Sequence, residues 1–245
     1  GLLVDKMKRV MREYLGSVAS VDRNVGRVLD LLDELKLADE TLVIFTSDHG
    51  YNVAHHGLQY KGNAFWRVEE PPPGTEFVPR GRRPNMFDTS LLTPTAVRWP
   101  GVVEPGMVIR ETISNLDWFP TLLDIAGVKV PEGVLLRGES FLPLLKGEAV
   151  PDWDNDLYAE YSMHHGATTH MRAYRTPEWK LVRDFQDPDR DELYDLVHDP
   201  EETENLIDDP RPEVQEVVRR LHARILAEMK ATGDPALELV GDRPE

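Results

Sequence analysis

One ten-residue stretch constrains the fold of this chain more than any other: Thr-Leu-Val-Ile-Phe-Thr-Ser-Asp-His-Gly, residues 41–50. Its first half is a short apolar run rich in β-branched and aromatic residues, which predicts a strand buried on both faces of a parallel sheet. Asp48 and His49 follow directly, and Gly50 is expected to let the chain turn. Because ligands and metals collect outside the carboxyl ends of strands in open α/β sheets, the stretch predicts an α/β fold with a chemically active strand end.

Helical and strand patterns on either side divide the chain into two regions. Apolar residues recur every three or four positions from about Val4 to Leu37, which predicts an amphipathic helix leading into the strand. Beyond residue 150, four short strand-like segments precede a helical pattern from about Pro212 to Met229. We predict an α/β domain over residues 1–149, with a mixed or parallel sheet flanked by helices. Residues 150–245 are predicted to form a small antiparallel-sheet subdomain with a packed helix.

Composition excludes several classes of function. The 245 residues carry a formal net charge of −16, which argues against a nucleic-acid partner. No apolar run approaches the roughly 20 residues that would span a bilayer, so no membrane partner is predicted. The chain contains no cysteine, which rules out disulfides, thiolate zinc sites and a cysteine nucleophile within it.

The Asp48–His49 pair is the leading candidate for chemistry. A carboxylate oxygen and an imidazole nitrogen on a rigid strand end make a plausible half of a divalent-cation site. The alternative is an aspartate that caps the following turn, beside a packed and hydrogen-bonded histidine. Two ligands do not hold a metal by themselves, so the remaining ligands must come from elsewhere.

Other polar residues are weaker candidates, and each has a plain alternative. Lys61, 13 residues after Asp48, can offset the charge of an anionic oxygen, although most lysines are simply solvated. His56 can hydrogen-bond or protonate a leaving oxygen, or be a neutral loop histidine. His165 and His170, with the neighbouring His164, can line a substrate cleft or lie in turns.

A polar stretch from Tyr51 to about Asp88 is predicted to be an irregular loop. It contains three consecutive prolines at residues 71–73, which hold the backbone extended. Arg80, Arg82 and Arg83 follow. A loop of this length in a compact domain is usually functional, so its arginines can meet an anionic substrate; the alternative is a solvated insertion.

Motifs spread in order along nearly the whole chain carry a family resemblance. They occupy residues 39–50, 55–58, 61–62, 97–101, 116–123 with Gly127, 137–140, and 192–196 with 199–206. In this order they resemble the sulfatases of the alkaline phosphatase superfamily. The resemblance implies an alkaline-phosphatase-like α/β fold, hydrolysis of a sulfate ester on a sulfated small molecule or glycan, and a periplasmic or secreted location.

The resemblance also assigns roles to individual residues. In the family, the pair at this strand end ligates Ca²⁺, and Asp48 and His49 occupy those positions. The lysine after the loop contacts the sulfate, and Lys61 matches it. His56 matches the histidine of the nearby His-Gly pair. The implied cofactor is a divalent metal, Ca²⁺, and the implied catalytic residues are Lys61 and His56.

One departure from the family pattern is large. The family nucleophile is a formylglycine made within a Cys/Ser-x-Pro-x-Arg motif, and no such motif occurs in this sequence. Two further metal-binding aspartates of the family also have no match. We therefore expect the C-terminal portion of a sulfatase, inactive without the N-terminal part of the domain. A phosphatase or phosphonate monoester hydrolase of the same superfamily, and a non-catalytic binding module, are the alternatives.

Overall fold

The computed structural model describes residues 3–70 and 81–240. The predicted proline-held segment at 71–73 and Arg80 lie outside these residues. Two compact units are present, one formed by Gly1–Tyr14, His49–Leu92 and Asp156–Glu245, the other by Leu15–Asp48 and Thr93–Asn155. The domain boundary near residue 150 stays a prediction.

The first helix, α1 (Val4–Glu34), confirms the amphipathic pattern and runs unbroken through its two glycines. Met7 is the buried residue of this helix. Many of its other apolar side chains are exposed: Val4, Tyr14, Leu15, Val18, Val21, Val28 and Leu31. The apolar stripe of α1 therefore lies largely at the surface of the described structure.

The strand that leads to Asp48 differs from its prediction. Strand β1 (Val43–Phe45) has three residues, two half-buried and one exposed, so the prediction of burial on both faces is wrong. It is joined later in the chain by β6 (Ala96–Arg98), in a two-stranded antiparallel sheet. A two-stranded sheet has too few neighbours to enclose a strand on both sides.

The middle of the chain contains three helices in the described residues: α2 (Asp88–Leu91), α3 (Trp118–Ile125) and α4 (Leu142–Leu145). A 3₁₀ turn, Asn115–Asp117, leads into α3. Ser114 caps it with a capping box in which the Asp117 carboxylate accepts from the Ser114 backbone N–H at 2.6 Å. Phe141, Leu144 and Leu145 are the buried centre of the core beside α4.

The region predicted to be an irregular loop contains a sheet instead. Four short antiparallel strands form it in the order β2-β3-β4-β5: β2 (Asn52–Val53), β3 (Leu58–Tyr60), β4 (Asn63–Trp66) and β5 (Arg82–Pro84). The prediction is wrong because strands of two to four residues with polar side chains give almost no periodic signal. Their pairing depends on contacts across the sheet rather than on local pattern.

The C-terminal sheet and helix confirm their prediction. Strands β7 (Leu157–His164), β8 (Thr168–Arg175), β9 (Trp179–Asp184) and β10 (Glu192–Asp195) form an antiparallel sheet in the order β10-β9-β8-β7. Helix α5 (Pro212–Thr232) packs on it through Val214, Val218, Leu221, Ile225 and Met229. Gly233 ends the helix in a left-handed conformation, φ 65°. Among the described helices, none is long and apolar enough to cross a bilayer.

Candidate functional site

The strand-end pair lies where the chain passes from one unit to the other: Asp48 ends a segment of the second unit and His49 begins a segment of the first. Asn115 Nδ2 donates weakly to the Ser47 and Asp48 carbonyls, at 3.4 Å each. His49 Nδ1–H donates to the Gly50 carbonyl at 2.8 Å. Because Nδ1 carries the proton in that bond, Nε2 is the nitrogen that presents a lone pair.

Gly50 has a different role from the one predicted. Its φ is not in the left-handed region, so the expectation that it is needed for a turn is wrong. A Cβ added there would lie 2.3 Å from the Thr89 carbonyl oxygen. The Gly50 N–H donates to the Ser90 carbonyl at 2.8 Å. Glycine is required because the backbone of α2 approaches this closely, which fixes the main chain beside His49.

Lys61 meets His49, although 12 residues separate them in sequence. Its Nζ contacts His49 Nε2, the nitrogen identified above as the lone-pair nitrogen. Lys61 lies in the turn between β3 and β4 and its side chain is exposed. The structure thus brings Lys61, predicted to contact the sulfate, next to His49, predicted to bind the metal; both roles stay predictions.

A buried network of polar side chains holds the turn that carries Lys61. Asn52, fully buried, donates through Nδ2 to the Tyr60 carbonyl and to Ser90 Oγ, at 2.8 Å each. Ser90 Oγ donates to Asn85 Oδ1 at 2.7 Å, and Asn85 Nδ2 reaches the Lys61 carbonyl at 3.3 Å. Each buried amide is satisfied, so the backbone at residues 60 and 61 is fixed rather than merely solvated.

Sequence reasoning missed this network. The signal that could have revealed it is the placement of Asn52 before Val53 and of Asn85 before Met86 and Phe87, polar residues at positions flanked by apolar ones. A buried asparagine side chain must find partners for its carbonyl and amide groups. Such residues are therefore candidates for positioning a neighbouring loop.

His56 packs rather than extends into solvent. Its ring stacks on Phe87, with centroids 3.7 Å apart and planes at 6°. Its backbone is left-handed, φ 53°, next to Gly57. Burial, then the positive charges of His55, Lys180 and Arg83, lower the pKa of His56 to about 4. At neutral pH the ring is therefore uncharged and is a weak proton donor.

The two histidines predicted to bind substrate lie differently with respect to Lys61. His165 is at the tip of the β7–β8 hairpin, and its carbonyl accepts from Asn63 Nδ2 at 3.0 Å. His170 is in β8 opposite Ser162, whose Oγ is 3.0 Å from His170 Nδ1. The turn alternative is therefore wrong for His170.

Strand alternation separates the two faces of this hairpin. Tyr161 lies on the face that meets the Lys61 turn, since a Cβ added at Gly62 would be 2.7 Å from its ring. His170 pairs with Ser162, the residue after Tyr161, so the His170 side chain points to the opposite face of the sheet. His164 lies with it there, the two ring centroids 5.1 Å apart. His165 is thus near the Lys61 turn through its backbone, and His170 faces away from it.

The side chains of Asp48 and His49 offer ligand atoms for part of a metal site. Within residues 3–70 and 81–240, no three or more His, Asp or Glu side chains are grouped to hold an ion. The Asp48 carboxylate and His49 Nε2 are nevertheless oxygen and nitrogen ligands of types that divalent metals accept. Their chemistry therefore fits two positions of a coordination shell, and their role as metal ligands stays a prediction.

Comparison with known proteins gives the family. The family model described as Sulfatase matches residues 3–128. The model described as N-sulphoglucosamine sulphohydrolase, C-terminal, matches residues 82–231. Together these two matches extend over nearly the whole chain.

Individual relatives agree with the family models. The chain is 32% identical to an N-acetylglucosamine-6-O-sulfatase of Bacteroides thetaiotaomicron, over 82% of this chain and 32% of that protein. A solved structure in complex with its substrate D-glucosamine-2-N,6-O-disulfate superposes with a TM-score of 0.74 at 28% identity, covering 94% of this chain and 43% of that one. A phosphonate monoester hydrolase of Agrobacterium radiobacter superposes with a TM-score of 0.69 at 27% identity, covering 89% and 40%.

These similarities confirm the predicted fold class, which is alkaline-phosphatase-like with a C-terminal antiparallel sheet and packed helix. The chain spans about a third of the length of the curated relative that it matches. Two family models, each matching more than half of its residues, agree with the order of its motifs. The chain belongs to the sulfatase family.

Proposed function

We propose that this chain contributes part of the active site of an enzyme that hydrolyses a sulfate ester. The observation that carries the proposal is the contact between Lys61 Nζ and His49 Nε2, in a chain of the sulfatase family. The contact joins the residue predicted to contact sulfate and a residue predicted to bind metal, which supports one shared site. Because one lone pair cannot hold both, Nε2 would accept from Lys61 only while no metal is bound, and on metal binding the ammonium would turn toward a sulfate oxygen. The buried Asn52–Ser90–Asn85 network holds the backbone of Lys61, one of the two residues in this contact.

Lys61 is suited to stabilise an anion. Among the residues that the structure describes, its side chain has no carboxylate partner, and its contact is with Nε2 of His49. A sulfuryl group gains negative charge on its oxygens as the ester bond breaks. A fixed ammonium beside those oxygens stabilises the transition state more than the ground state.

The sulfatase family uses a divalent metal, and we propose Ca²⁺ for this chain, held in part by Asp48 and His49. When bound, the ion supplies Lewis-acid polarisation of the ester oxygens. The Nδ1–H bond from His49 to the Gly50 carbonyl fixes the ring orientation for this role. Because its pKa is low, His56 donates or accepts a hydrogen bond as a neutral ring.

We propose that activity requires the part of the sulfatase domain that carries the nucleophile. The sequence given contains no Cys/Ser-x-Pro-x-Arg motif that could form it. The exposed apolar stripe of α1, which includes Val18, Val21 and Val28, supports this proposal. A helix with such a stripe normally packs against another element.

The substrate proposed is a sulfated sugar. The relatives compared include an N-acetylglucosamine-6-O-sulfatase and a protein whose substrate is a disulfated glucosamine. The two names state what those relatives act on. They support a sugar sulfate as the substrate of this chain because each relative aligns with most of this chain.

The test compares two proteins on one sulfate ester. One is the 245-residue chain, and the other is a longer form that also carries the N-terminal part of the domain. With Ca²⁺, we expect the longer form to hydrolyse 4-nitrophenyl sulfate and the short chain to be inactive. Turnover by the short chain would contradict the proposed location of the nucleophile.

The alternative function is hydrolysis of a phosphonate monoester, favoured by the likeness to the Agrobacterium enzyme. Measuring kcat/KM of the longer form for 4-nitrophenyl sulfate and for a 4-nitrophenyl phosphonate separates the two. A higher value for the sulfate supports the sulfatase, and a higher value for the phosphonate supports the alternative. Turnover of neither ester, with Ca²⁺ bound, would favour a non-catalytic binding module.

A further inference from the structure

A second group of positive charges lies close to the Lys61 turn, around the ring of Phe65. Arg82 Cζ is 4.4 Å from the centre of that ring, and Arg67 Cζ is 5.6 Å from it. Tyr60 meets Phe65 edge-on, with centroids 5.8 Å apart. We call Tyr60, Phe65, Arg67 and Arg82 the arginine–aromatic patch.

The sheet and the β7–β8 hairpin hold the patch in place. Phe65 and Arg82 are register partners on the neighbouring strands β4 and β5. Arg82 also packs against Gly166, where an added Cβ would lie 2.3 Å from Arg82 Nε, and the left-handed backbone of Gly166, φ 78°, favours glycine there. Arg67 Nε donates to Gln59 Oε1 at 2.7 Å. Both guanidinium groups are therefore positioned before any ligand binds.

The charge of the patch is not neutralised by the described residues. Neither Arg67 nor Arg82 has a carboxylate partner within residues 3–70 and 81–240. Other partly or fully buried arginines of the first unit are paired: Arg83 with Glu192, Arg172 with Asp234 and Arg175 with Asp88. In a chain of net charge −16, two neighbouring arginines without acidic partners are a local anion-binding feature.

We propose that the arginine–aromatic patch binds a second acidic group of the substrate, a sulfate or carboxylate on an oligosaccharide whose scissile sulfate lies at Lys61. This inference rests on the proposed function. Tyr60 directly precedes Lys61, and consecutive Cα atoms are about 3.8 Å apart, so the patch begins beside the residue proposed to hold the scissile sulfate. The planar guanidinium groups match the geometry of sulfate and carboxylate oxygens.

The aromatic rings favour a saccharide over an acidic peptide. Tyr60 is 41% exposed, and Tyr51 lies edge-on to it at 6.0 Å, so flat ring faces lie beside the guanidinium groups. Such faces pack against the apolar C–H face of a sugar ring, while the arginines take its charged substituent. A run of carboxylates on a peptide would use the arginines alone.

The test measures binding to the 245-residue chain by calorimetry. The probes are a heparin tetrasaccharide, the same tetrasaccharide without sulfate, and polyglutamate. The variants are Arg82→Gln, Arg67→Gln and Tyr60→Leu, with Arg219→Gln on the exposed face of α5 as the matched control. Circular dichroism checks the fold, and Arg82→Lys provides a second variant that keeps the charge but not the planar fork.

We expect each arginine variant to weaken tetrasaccharide binding about tenfold, Tyr60→Leu to weaken it severalfold without affecting polyglutamate, and Arg219→Gln to change nothing. Equal affinity of Arg82→Gln and Arg219→Gln would overturn the inference, as would polyglutamate binding as tightly as the tetrasaccharide. Absence of tetrasaccharide binding, or its loss in the longer form because the patch is covered, would also overturn it.

The two hypotheses can fail separately. If the longer form hydrolyses 4-nitrophenyl sulfate but the tetrasaccharide does not bind, only the patch is wrong. If the tetrasaccharide binds through the patch but no sulfate ester is hydrolysed, the patch is an oligosaccharide-binding surface and the proposed function is wrong, together with the assignment of a scissile sulfate to Lys61.

Discussion

Lys61 Nζ contacts Nε2 of His49, a ring whose other nitrogen donates to the Gly50 carbonyl at 2.8 Å. The Gly50 hydrogen bond selects the tautomer, and this tautomer presents the Nε2 lone pair toward the Lys61 turn. A cation and a ligand nitrogen are thereby fixed in one place by backbone geometry.

Metal affinity depends on the strand-end pair. In the longer form, we expect Asp48→Asn and His49→Ala each to weaken Ca²⁺ binding on the order of 10- to 100-fold, since each removes a ligand or its charge. Calorimetric titration of Ca²⁺ measures this effect. Asp39→Asn, an exposed aspartate of the same unit, is the control and should leave affinity unchanged. If all three variants bound Ca²⁺ with equal affinity, Asp48 and His49 would not be metal ligands.

The pH dependence of stability tests the burial of His56. Its pKa is about 4 in the folded protein and 6.5 as the ordinary value, so the unfolded chain binds more protons between these pH values. The free energy of unfolding therefore falls as pH decreases from 6.5 to 4. Because the ring is partly exposed, we expect this contribution to be on the order of 1–2 kcal/mol, less than the full linkage value.

His56→Asn removes this titration while tolerating the left-handed backbone. Urea unfolding at several pH values should show a shallower loss of stability for His56→Asn than for the wild type between pH 6.5 and 4. His165→Asn, at the exposed tip of the β7–β8 hairpin, is the control and should keep the wild-type slope. If the free energy of unfolding fell equally with decreasing pH in the wild type and in His56→Asn, the pKa of His56 would not be lowered by folding.

Lys180 holds a buried cluster of charges in the first unit. Fully buried, it donates to Asp88 Oδ1 at 2.9 Å and to the Met86 carbonyl at 2.8 Å, and it also pairs with Glu202. The cluster lowers the pKa of Asp88, chiefly through Lys180 and Arg175 against the opposing effect of burial, whereas burial raises the pKa of Glu202.

Lys180→Met leaves these carboxylates without their shared cation. We expect the free energy of unfolding to fall by about 3–5 kcal/mol, as for other buried pairs that lose one partner. Lys180→Met combined with Glu202→Gln should recover part of this loss, because it removes one uncompensated charge. Lys230→Met on the exposed side of α5 should change stability by less than about 0.5 kcal/mol. A small effect of Lys180→Met would show that the cluster is not desolvated.

Long periodic segments could be predicted from the sequence, and short strands could not. Helices α1 and α5 have apolar residues at helical spacing over many turns, and the C-terminal strands are four to eight residues long with turns between them. Strands β2 to β5 have two to four residues each and are rich in polar side chains, so their pairing is decided by contacts with distant residues. The same reason explains why β1 is less buried than its apolar sequence indicates.

Part of the candidate site was also predictable. Asp48, His49 and Lys61 carry distinctive chemistry in a recognisable order, and the structure brings Lys61 to His49. The Asn52–Ser90–Asn85 network was not predictable, because its members are common polar residues whose importance depends on burial. The need for glycine at residue 50 likewise depends on the distant Thr89 carbonyl.

The most direct test of the account is the kinetic effect of Lys61→Ala in the longer form. Removing a cation that contacts the transferring group should lower kcat/KM for 4-nitrophenyl sulfate by roughly 10²- to 10³-fold, with Ca²⁺ affinity retained. Lys230→Ala, an exposed lysine on α5, should leave both values unchanged. If Lys61→Ala hydrolyses the sulfate ester as fast as the wild type, Lys61 does not contact the sulfate and the proposed site is wrong.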